Sequence, residues 1–179
     1  MKNQLVILDR DGVINHDSVD FIKSAEEWFP IDGSIEAIKL LKERKFVVVI
    51  ASNQSGIGRN FLSLETLAEI HNKLFKLLLK EGCIIDGLFF CPHKPDDSCL
   101  CRKPLPGLIN SIQTQFKCEF EQTLFIGDSQ RDLDAAKAAN VEGILVRSGN
   151  GLETEKTLPR DNKVKVFDNL LQAVNALTE

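Results

Sequence analysis

Short apolar runs alternate along the chain with segments of helical periodicity, and this alternation is the strongest constraint on the fold. The apolar runs lie at residues 5–8, 47–51, 88–90, 123–126 and 143–146. Short continuous apolar runs are typical of strands that are buried on both faces of a sheet. Their alternation with helices predicts an α/β fold with a doubly wound, mainly parallel sheet.

The helical segments begin at Ser34 and Ser63, and others span residues 105–116, 131–139 and 170–177. Ser34 and Ser63 are predicted to cap their helices, because a serine hydroxyl accepts a hydrogen bond from a free amide of the first turn. His71 falls in the second segment, and we expect it on the helix surface.

The chain has 179 residues, of which 43% are hydrophobic and 27% are charged. This predicts a single domain, residues 1–179, with a core large enough to fold without disulfides. A formal net charge of -4 argues against a nucleic-acid partner. No apolar run reaches the roughly 20 residues that span a bilayer, and the N-terminus lacks the apolar stretch of a signal peptide. We therefore expect a cytoplasmic monomer with no membrane partner.

Polar residues follow four of the predicted strands, at the point where each strand ends. They are DRDG at 9–12, SNQSG at 52–56, CPH at 91–93 and GDS at 127–129. Ligands of open parallel sheets bind at the carboxyl ends of the strands. The sequence therefore predicts that these four segments converge on one site.

Two carboxylates, Asp9 and Asp11, stand two residues apart after the first strand. Their repulsion requires a cation or a shared proton. Together with Asp128 they are candidates to hold Mg²⁺, which prefers oxygen ligands. An isolated DxDG is more often a solvated turn, but here it ends a buried strand and other motifs follow in order.

A group of cysteines and one histidine follows the third strand, in the pattern C-x-H-x5-C-x-C: Cys91, His93, Cys99 and Cys101. Clustered cysteines without a secretion signal indicate a metal rather than disulfides. Three thiolates and one imidazole make a closed tetrahedral Zn²⁺ site with a structural role. The metal would hold the loop at residues 91–104, called the zinc loop below. The alternative is a set of free thiols beside a surface histidine.

Four ordered segments, LDRDGVIN, SNQ, RKP and IGDSQRDLDAA, resemble the motifs of the haloacid dehalogenase superfamily of phosphatases. CPHKPDDSCLCRKP is similar to the zinc-containing branch of that superfamily. The resemblance covers residues 5–146, which is most of the chain. It implies the Rossmann-like core of the superfamily, and the length leaves no segment for the separate cap domain that many members carry.

By this resemblance, Asp9 is the nucleophile that forms an aspartyl-phosphate, and Asp11 is the general acid and then the general base. Asp11 is also expected to bind the metal through its backbone carbonyl, and Asp128 to complete the Mg²⁺ site. The resemblance assigns Ser52 to the phosphoryl oxygens and Lys103 to neutralising the transferred group.

The resemblance also implies contacts to the rest of the substrate. Arg102 is expected to recognise a second, distal group. Asp132, one helical turn after Asp128, is expected either to support the Mg²⁺ site or another cation, or only to interact with the dipole of its helix. Further substrate contacts are expected from loops after the first two strands: Asp17, Asp20, Asn53, Gln54, Ser55 and Arg59.

The segments SNQSGIGR and EEWFPIDGS resemble the branch members that act on a heptose bisphosphate. The resemblance therefore implies a Mg²⁺-dependent phosphatase. Its small-molecule sugar phosphate substrate would be D-glycero-D-manno-heptose 1,7-bisphosphate, which loses its 7-phosphate in lipopolysaccharide core biosynthesis. Histidinol phosphate is the alternative substrate, because enzymes that act on it share the zinc loop. A non-catalytic zinc-binding module is a third interpretation.

Overall fold

The computed structural model describes residues 4–117 and 123–178, and it contains a six-stranded parallel sheet. The strand order is β3-β2-β1-β4-β5-β6. The strands are β1 (Leu5–Leu8), β2 (Val47–Asn53), β3 (Gly87–Cys91), β4 (Thr123–Gly127), β5 (Glu142–Val146) and β6 (Lys165–Phe167). The predicted doubly wound α/β fold is confirmed, and every strand pair in this sheet is parallel.

Helices cover both faces of the sheet. They are α1 (Ser34–Glu43), α2 (Ser55–Gly58), α3 (Leu64–Lys80), α4 (Gly107–Phe116), α5 (Gln130–Ala138), α6 (Gly151–Thr157) and α7 (Leu170–Thr178), with a short 3₁₀ turn at Pro95–Asp97. The side chains of β1 contribute to two hydrophobic cores, one on each face of the sheet. Leu5 and Ile7 belong to the core that includes α4 and α5, whereas Val6 and Leu8 belong to the core that includes α1, α3 and α7. Alternate residues of a strand point to opposite faces, so β1 is apolar throughout.

Three short elements were not among the predictions: α2, α6 and β6. The strand β6 has only three residues and begins with an exposed lysine, so it carries no continuous apolar run. It forms because parallel pairing with β5 satisfies its backbone groups, which is a tertiary contact.

The two predicted caps had different outcomes. Ser63 does cap α3, because its hydroxyl accepts a hydrogen bond from the Thr66 amide at 3.1 Å. The prediction for Ser34 was wrong: Gly33 occupies the N-cap of α1, with a φ of 80°. The Ser34 side chain is instead buried in the first turn of that helix.

The prediction for His71 was also wrong, because this side chain is buried rather than on the surface of α3. Leu67 lies four residues before it and Leu74 three residues after it, and both are buried. This i, i+4 and i, i+3 spacing puts His71 on the apolar face of the helix.

Within residues 4–117 and 123–178, helices with the length and apolar character needed to cross a membrane are absent.

The packing of α3 gives a stability prediction. We expect Leu74→Ala to lower the free energy of unfolding by about 2–5 kcal/mol, because it leaves a cavity in the core. Leu79 lies on the same helix but is 61% exposed. Leu79→Ala should therefore change the free energy of unfolding by no more than about 0.5 kcal/mol. Equilibrium urea denaturation measures both values, and equal losses would contradict the placement of α3.

Candidate active site

The strand order brings the predicted polar segments to one edge of the sheet. Strand β1 lies between β2 and β4, so Asp9, Ser52 and Asp128 sit at neighbouring strand ends. A cavity opens there. Its lining includes these predicted site residues: Asp9, Asp11, Asp17, Ser52, Asn53, Gln54, Ser55, Arg102, Lys103 and Asp128. Two predicted substrate contacts, Asp20 and Arg59, lie on the surface outside that lining.

Lys103 occupies the base of the cavity, where only 2% of its surface is exposed. Its Nζ lies 2.8 Å from Asp9 Oδ1 and 2.7 Å from Asp132 Oδ1. The same Nζ donates a hydrogen bond to the Ala51 carbonyl at 2.9 Å. Burial alone would lower the pKa of Lys103, but the two carboxylates overcome it and raise the pKa. Lys103 is therefore a buried cation.

Carboxylate oxygens of Asp9, Asp128 and Asp132 lie within 4.8 Å of one another. Burial raises the pKa of Asp9 well above its ordinary value despite the opposing charge of Lys103. Burial is also the main reason that the pKa of Asp128 rises to about 6. A bound divalent cation would relieve the repulsion between these crowded carboxylates and favour their ionised form, so the oxygens of Asp9 and Asp128, with Asp132 beside them, fit Mg²⁺.

Asp132 lies in the first turn of α5 and binds a cation, the Lys103 ammonium. Its Oδ2 accepts hydrogen bonds from the Ser129 amide at 3.0 Å and the Ser129 hydroxyl at 2.6 Å, which forms the N-terminal cap of α5. Its Oδ1 binds Lys103. Asp132 therefore connects the helix start to the buried cation.

The Asp11 carboxylate points to a different set of groups. Arg10 holds both oxygens through Nη2 at 2.9 Å, Asn15 Nδ2 donates to Oδ1 at 2.9 Å, and Gln54 Nε2 donates to Oδ2 at 2.7 Å. Burial works to raise the pKa of Asp11, but the Arg10 charge and these hydrogen bonds prevail and lower it.

The residues at the end of β2 and directly after it interact with one another and with the backbone of Lys103. Gln54 also donates to the hydroxyl of the buried Ser52 at 2.8 Å. Asn53 forms a reciprocal pair with the backbone of Lys103: its Nδ2 donates to the Lys103 carbonyl at 3.0 Å, and its Oδ1 accepts from the Lys103 amide at 3.1 Å. Asn53 thereby fixes Lys103 at the site, and its substrate contact stays a prediction.

The segment after β5 contributes Asn150, which was not among the predictions. Its amide donates to Asp128 Oδ2 at 2.7 Å, and its Nδ2 donates to the same oxygen at 3.1 Å. Gly12 allows this arrangement: its φ is 86°, and a Cβ there would lie 2.1 Å from Asp128 Oδ2. The signal for Asn150 was the polar run RSGN after the fifth strand, where the strand-end rule applies equally.

The four predicted zinc ligands converge. The Cys91 and Cys99 sulfurs are 3.7 Å apart, the Cys91 and Cys101 sulfurs 3.3 Å, and His93 Nδ1 lies 3.5 and 3.3 Å from the sulfurs of Cys91 and Cys101. A tetrahedral Zn²⁺ with Zn–S distances of ~2.3 Å separates its ligand atoms by roughly 3.6–3.8 Å. The chemistry and spacing of these donors therefore fit zinc.

The zinc loop carries Arg102 to the cavity wall, where its Nη1 donates to the His93 carbonyl at 3.3 Å. Arg131 lines the same cavity. Burial lowers the pKa of Arg102, and the charge of Arg131 lowers it further. Two guanidinium groups therefore lie on the cavity wall close enough to repel each other.

Comparison with known proteins places these motifs in a family. The family described as HAD-hydrolase-like matches residues 100–173. D-glycero-beta-D-manno-heptose-1,7-bisphosphate 7-phosphatase from Neisseria meningitidis serogroup A is 43% identical over 94% of this chain and 91% of its own length. The enzyme of that description from Pseudomonas aeruginosa is 42% identical over 100% of both chains.

This chain belongs to the heptose-bisphosphate phosphatase family of the haloacid dehalogenase superfamily. A solved structure agrees with this membership. The crystal structure of D,D-heptose 1,7-bisphosphate phosphatase from B. bronchiseptica, complexed with magnesium and phosphate, has a TM-score of 0.93 and 41% identity. The alignment covers 97% of each chain.

The raised pKa of Asp128 predicts a pH-dependent stability in Mg²⁺-free buffer. An ordinary aspartate titrates near 3.8 and folded Asp128 near 6, so the folded state retains this proton more strongly. Its stabilising contribution is lost as the pH rises from about 4 to about 6. Asp128→Asn removes this titration, and we expect the variant to gain on the order of 2–3 kcal/mol relative to wild type over that range.

Urea denaturation at each pH measures the difference between the two proteins. Mg²⁺ at pH 7 should stabilise the wild-type protein more than the variant, because only the wild type keeps the full ligand set. Parallel stability curves from pH 4 to pH 7 would contradict the perturbed pKa.

Proposed function

We propose that this protein is a Mg²⁺-dependent phosphatase that removes the 7-phosphate of D-glycero-D-manno-heptose 1,7-bisphosphate, in the synthesis of nucleotide-activated heptose for the lipopolysaccharide core. One observation carries the proposal: the Lys103 ammonium lies 2.8 Å from Asp9, in a buried carboxylate cluster at the strand ends. The full-length similarity to heptose-bisphosphate phosphatases supports the substrate.

In the first step, a carboxylate oxygen of Asp9 attacks the phosphorus of the 7-phosphate. The bond between phosphorus and the sugar oxygen breaks, and Asp11 donates a proton to the departing alkoxide. This step requires Asp11 to be protonated in the substrate complex, although Arg10 lowers its pKa in the free protein. Lys103 holds positive charge beside the transferred group, and the Ser52 hydroxyl binds one of its oxygens. The products are the heptose 1-phosphate and an aspartyl-phosphate on Asp9.

In the second step, Asp11 is ionised and accepts a proton from a water molecule as that water attacks the phosphorus of the aspartyl-phosphate. The bond between phosphorus and Asp9 breaks, and inorganic phosphate leaves with Asp9 restored as a carboxylate. Proton transfer is thus balanced between the two steps, since Asp11 regains in the second the proton it gave in the first.

Two metal cofactors belong to the proposal. Asp9, Asp128 and the backbone carbonyl of Asp11 would hold Mg²⁺, which neutralises the charge of the phosphoryl group when bound. The Cys91, His93, Cys99 and Cys101 set would hold Zn²⁺, with a structural role only, because a closed shell offers no position for substrate. The zinc loop presents Arg102 and Lys103 to the site.

Substrate selection is assigned to the rim of the cavity. We assign the distal 1-phosphate to Arg102, and Arg131 adds a second guanidinium on the same wall. The exposed Asp17 accepts a hydrogen bond from Asn150 at 3.2 Å. We assign Asp17 to the sugar hydroxyls. Contacts from Asp20, Gln54, Ser55 and Arg59 stay predictions. So do the single domain, the monomeric state and the cytoplasmic location.

A panel of phosphate esters tests the substrate directly. Phosphate release is measured with D-glycero-D-manno-heptose 1,7-bisphosphate, fructose 1,6-bisphosphate and histidinol phosphate, with and without Mg²⁺. We expect the highest kcat/KM for the heptose and no turnover without Mg²⁺. A higher kcat/KM for histidinol phosphate would overturn the substrate, and no release from any ester would overturn the enzyme.

Asp9→Asn should reduce turnover by at least about a thousandfold, because an amide oxygen is too weak a nucleophile to replace the carboxylate. Circular dichroism and the urea midpoint serve as controls, since the variant should stay folded. A variant that retains substantial activity would exclude Asp9 as the nucleophile.

Metal analysis tests the zinc cluster. We expect a single zinc ion per chain, lost in Cys99→Ser, with a fall in kcat/KM because Arg102 and Lys103 lose their support. Cys83→Ser is a matched control, because Cys83 is a buried cysteine remote from the cluster and its replacement should leave the zinc content unchanged. Zinc-free wild-type protein would contradict the assignment.

A further inference from the structure

His71, a buried side chain of α3, contacts Arg10, the residue between Asp9 and Asp11, but does not line the cavity. His71 Nε2 lies 3.2 Å from Arg10 Nη1. His71 is 7% exposed and Arg10 is 1% exposed, so water does not compete strongly for this contact. Neither step of the proposed mechanism uses His71, although this buried polar side chain contacts Arg10, which in turn binds Asp11.

The direction of this hydrogen bond follows from chemistry. A guanidinium group has donors only, so His71 must accept through an unprotonated Nε2. Burial, followed by the Arg10 charge, lowers the pKa of His71 to about 4, which agrees with a neutral ring. His71 therefore fixes the Nη1 end of the Arg10 guanidinium.

The remaining donors of Arg10 bind Asp11. Nε lies 3.1 Å from Oδ1, and Nη2 lies 2.9 Å from each carboxylate oxygen. The guanidinium group of Arg10 is planar, so the hydrogen bond that Nη1 donates to His71 restricts the rotation of Nε and Nη2, which bind Asp11. The orientation of the Asp11 carboxylate thus depends on a residue 60 positions away in the sequence.

We infer that His71 is a positioning residue that acts through Arg10 on Asp11, and so governs the delivery of the proton to the leaving alkoxide. The inference rests on the proposed function, because it assigns His71 to the step in which Asp11 is the acid. Loss of the acceptor leaves a buried Arg10 N–H without its partner, and the guanidinium must shift to find another.

The choice of leaving group separates positioning from a general structural role. An alkoxide needs the proton from Asp11, whereas p-nitrophenolate leaves without one. The value of kcat/KM reports only the steps up to the first phosphoryl transfer, so the later role of Asp11 as a base does not enter. The test therefore compares kcat/KM for heptose 1,7-bisphosphate with kcat/KM for p-nitrophenyl phosphate.

His71→Phe keeps an aromatic ring beside Phe90, whose centroid lies 6.1 Å from that of His71, but removes the acceptor. We expect kcat/KM to fall by about tenfold or more for the heptose and by less than about threefold for p-nitrophenyl phosphate. His71→Gln, which retains an acceptor, should restore most of the heptose activity. Equal losses on the two esters would overturn the inference.

Leu74→Ala is the matched control, because it disturbs the same buried face of α3 but removes no hydrogen-bond acceptor from Arg10. It should lower stability while leaving the ratio of the two kcat/KM values at the wild-type level. A selective loss in Leu74→Ala that matched that of His71→Phe would also overturn the inference, since helix packing alone would then explain it.

A spectroscopic readout is independent of turnover. Long-range ¹H–¹⁵N NMR of the wild-type protein should show His71 with its proton on Nδ1 and an unprotonated Nε2. A proton on Nε2 would overturn the inference. A wild-type protein that hydrolyses neither ester would overturn the proposed function and this inference with it, whereas an active wild type with an unaffected His71→Phe would overturn only the inference.

Discussion

The ammonium group of Lys103 lies between the carboxylates of Asp9 and Asp132, at the base of the cavity, where all three side chains are nearly buried. Three elements of the fold meet at this contact: the end of β1, the start of α5 and the end of the zinc loop. A buried charge that loses its partner costs several kcal/mol, so each of these elements holds the other two in place. The same ion pairs put a cation beside the nucleophile before substrate arrives.

This dependence explains why the zinc loop is part of the active site. The loop must bring a lysine from the end of an irregular segment to the base of the cavity. Asn53 binds both backbone groups of Lys103, and the Cys91, His93, Cys99 and Cys101 set could hold a metal ion in the segment that precedes it. A flexible loop would have to lose conformational entropy each time Lys103 approached Asp9 and Asp132. Zinc bound to this set would hold the loop, so that the proposed site would be organised before substrate binds.

Much of this could be predicted from the sequence. The five main strands follow from apolar runs, and the ends of those strands predict where Asp9, Ser52 and Asp128 meet. The zinc ligands follow from their clustering. These features depend on local composition and on the general rule that parallel strands end at one edge.

Other features depend on which distant side chains approach one another, and local patterns do not contain that information. The pairing of the Asn53 amide with the backbone of Lys103 is such a feature, and the contact of Asn53 with substrate stays a prediction. His71 is a different case, because the local helical spacing of its leucine neighbours already indicated a buried side chain and the prediction of a surface position misread that pattern. The strand β6 is too short to carry a pattern and exists because β5 offers it a partner.

In the proposed mechanism Asp9, held beside Lys103, takes the phosphoryl group before water does. The stereochemistry at phosphorus tests this order, with a heptose substrate whose transferred group is a thiophosphate made chiral by two oxygen isotopes and hydrolysed in water enriched in the third isotope. Two successive in-line displacements invert the phosphorus twice, so we predict inorganic thiophosphate with retained configuration. Inverted configuration would mean a single direct attack by water and would exclude the aspartyl-phosphate.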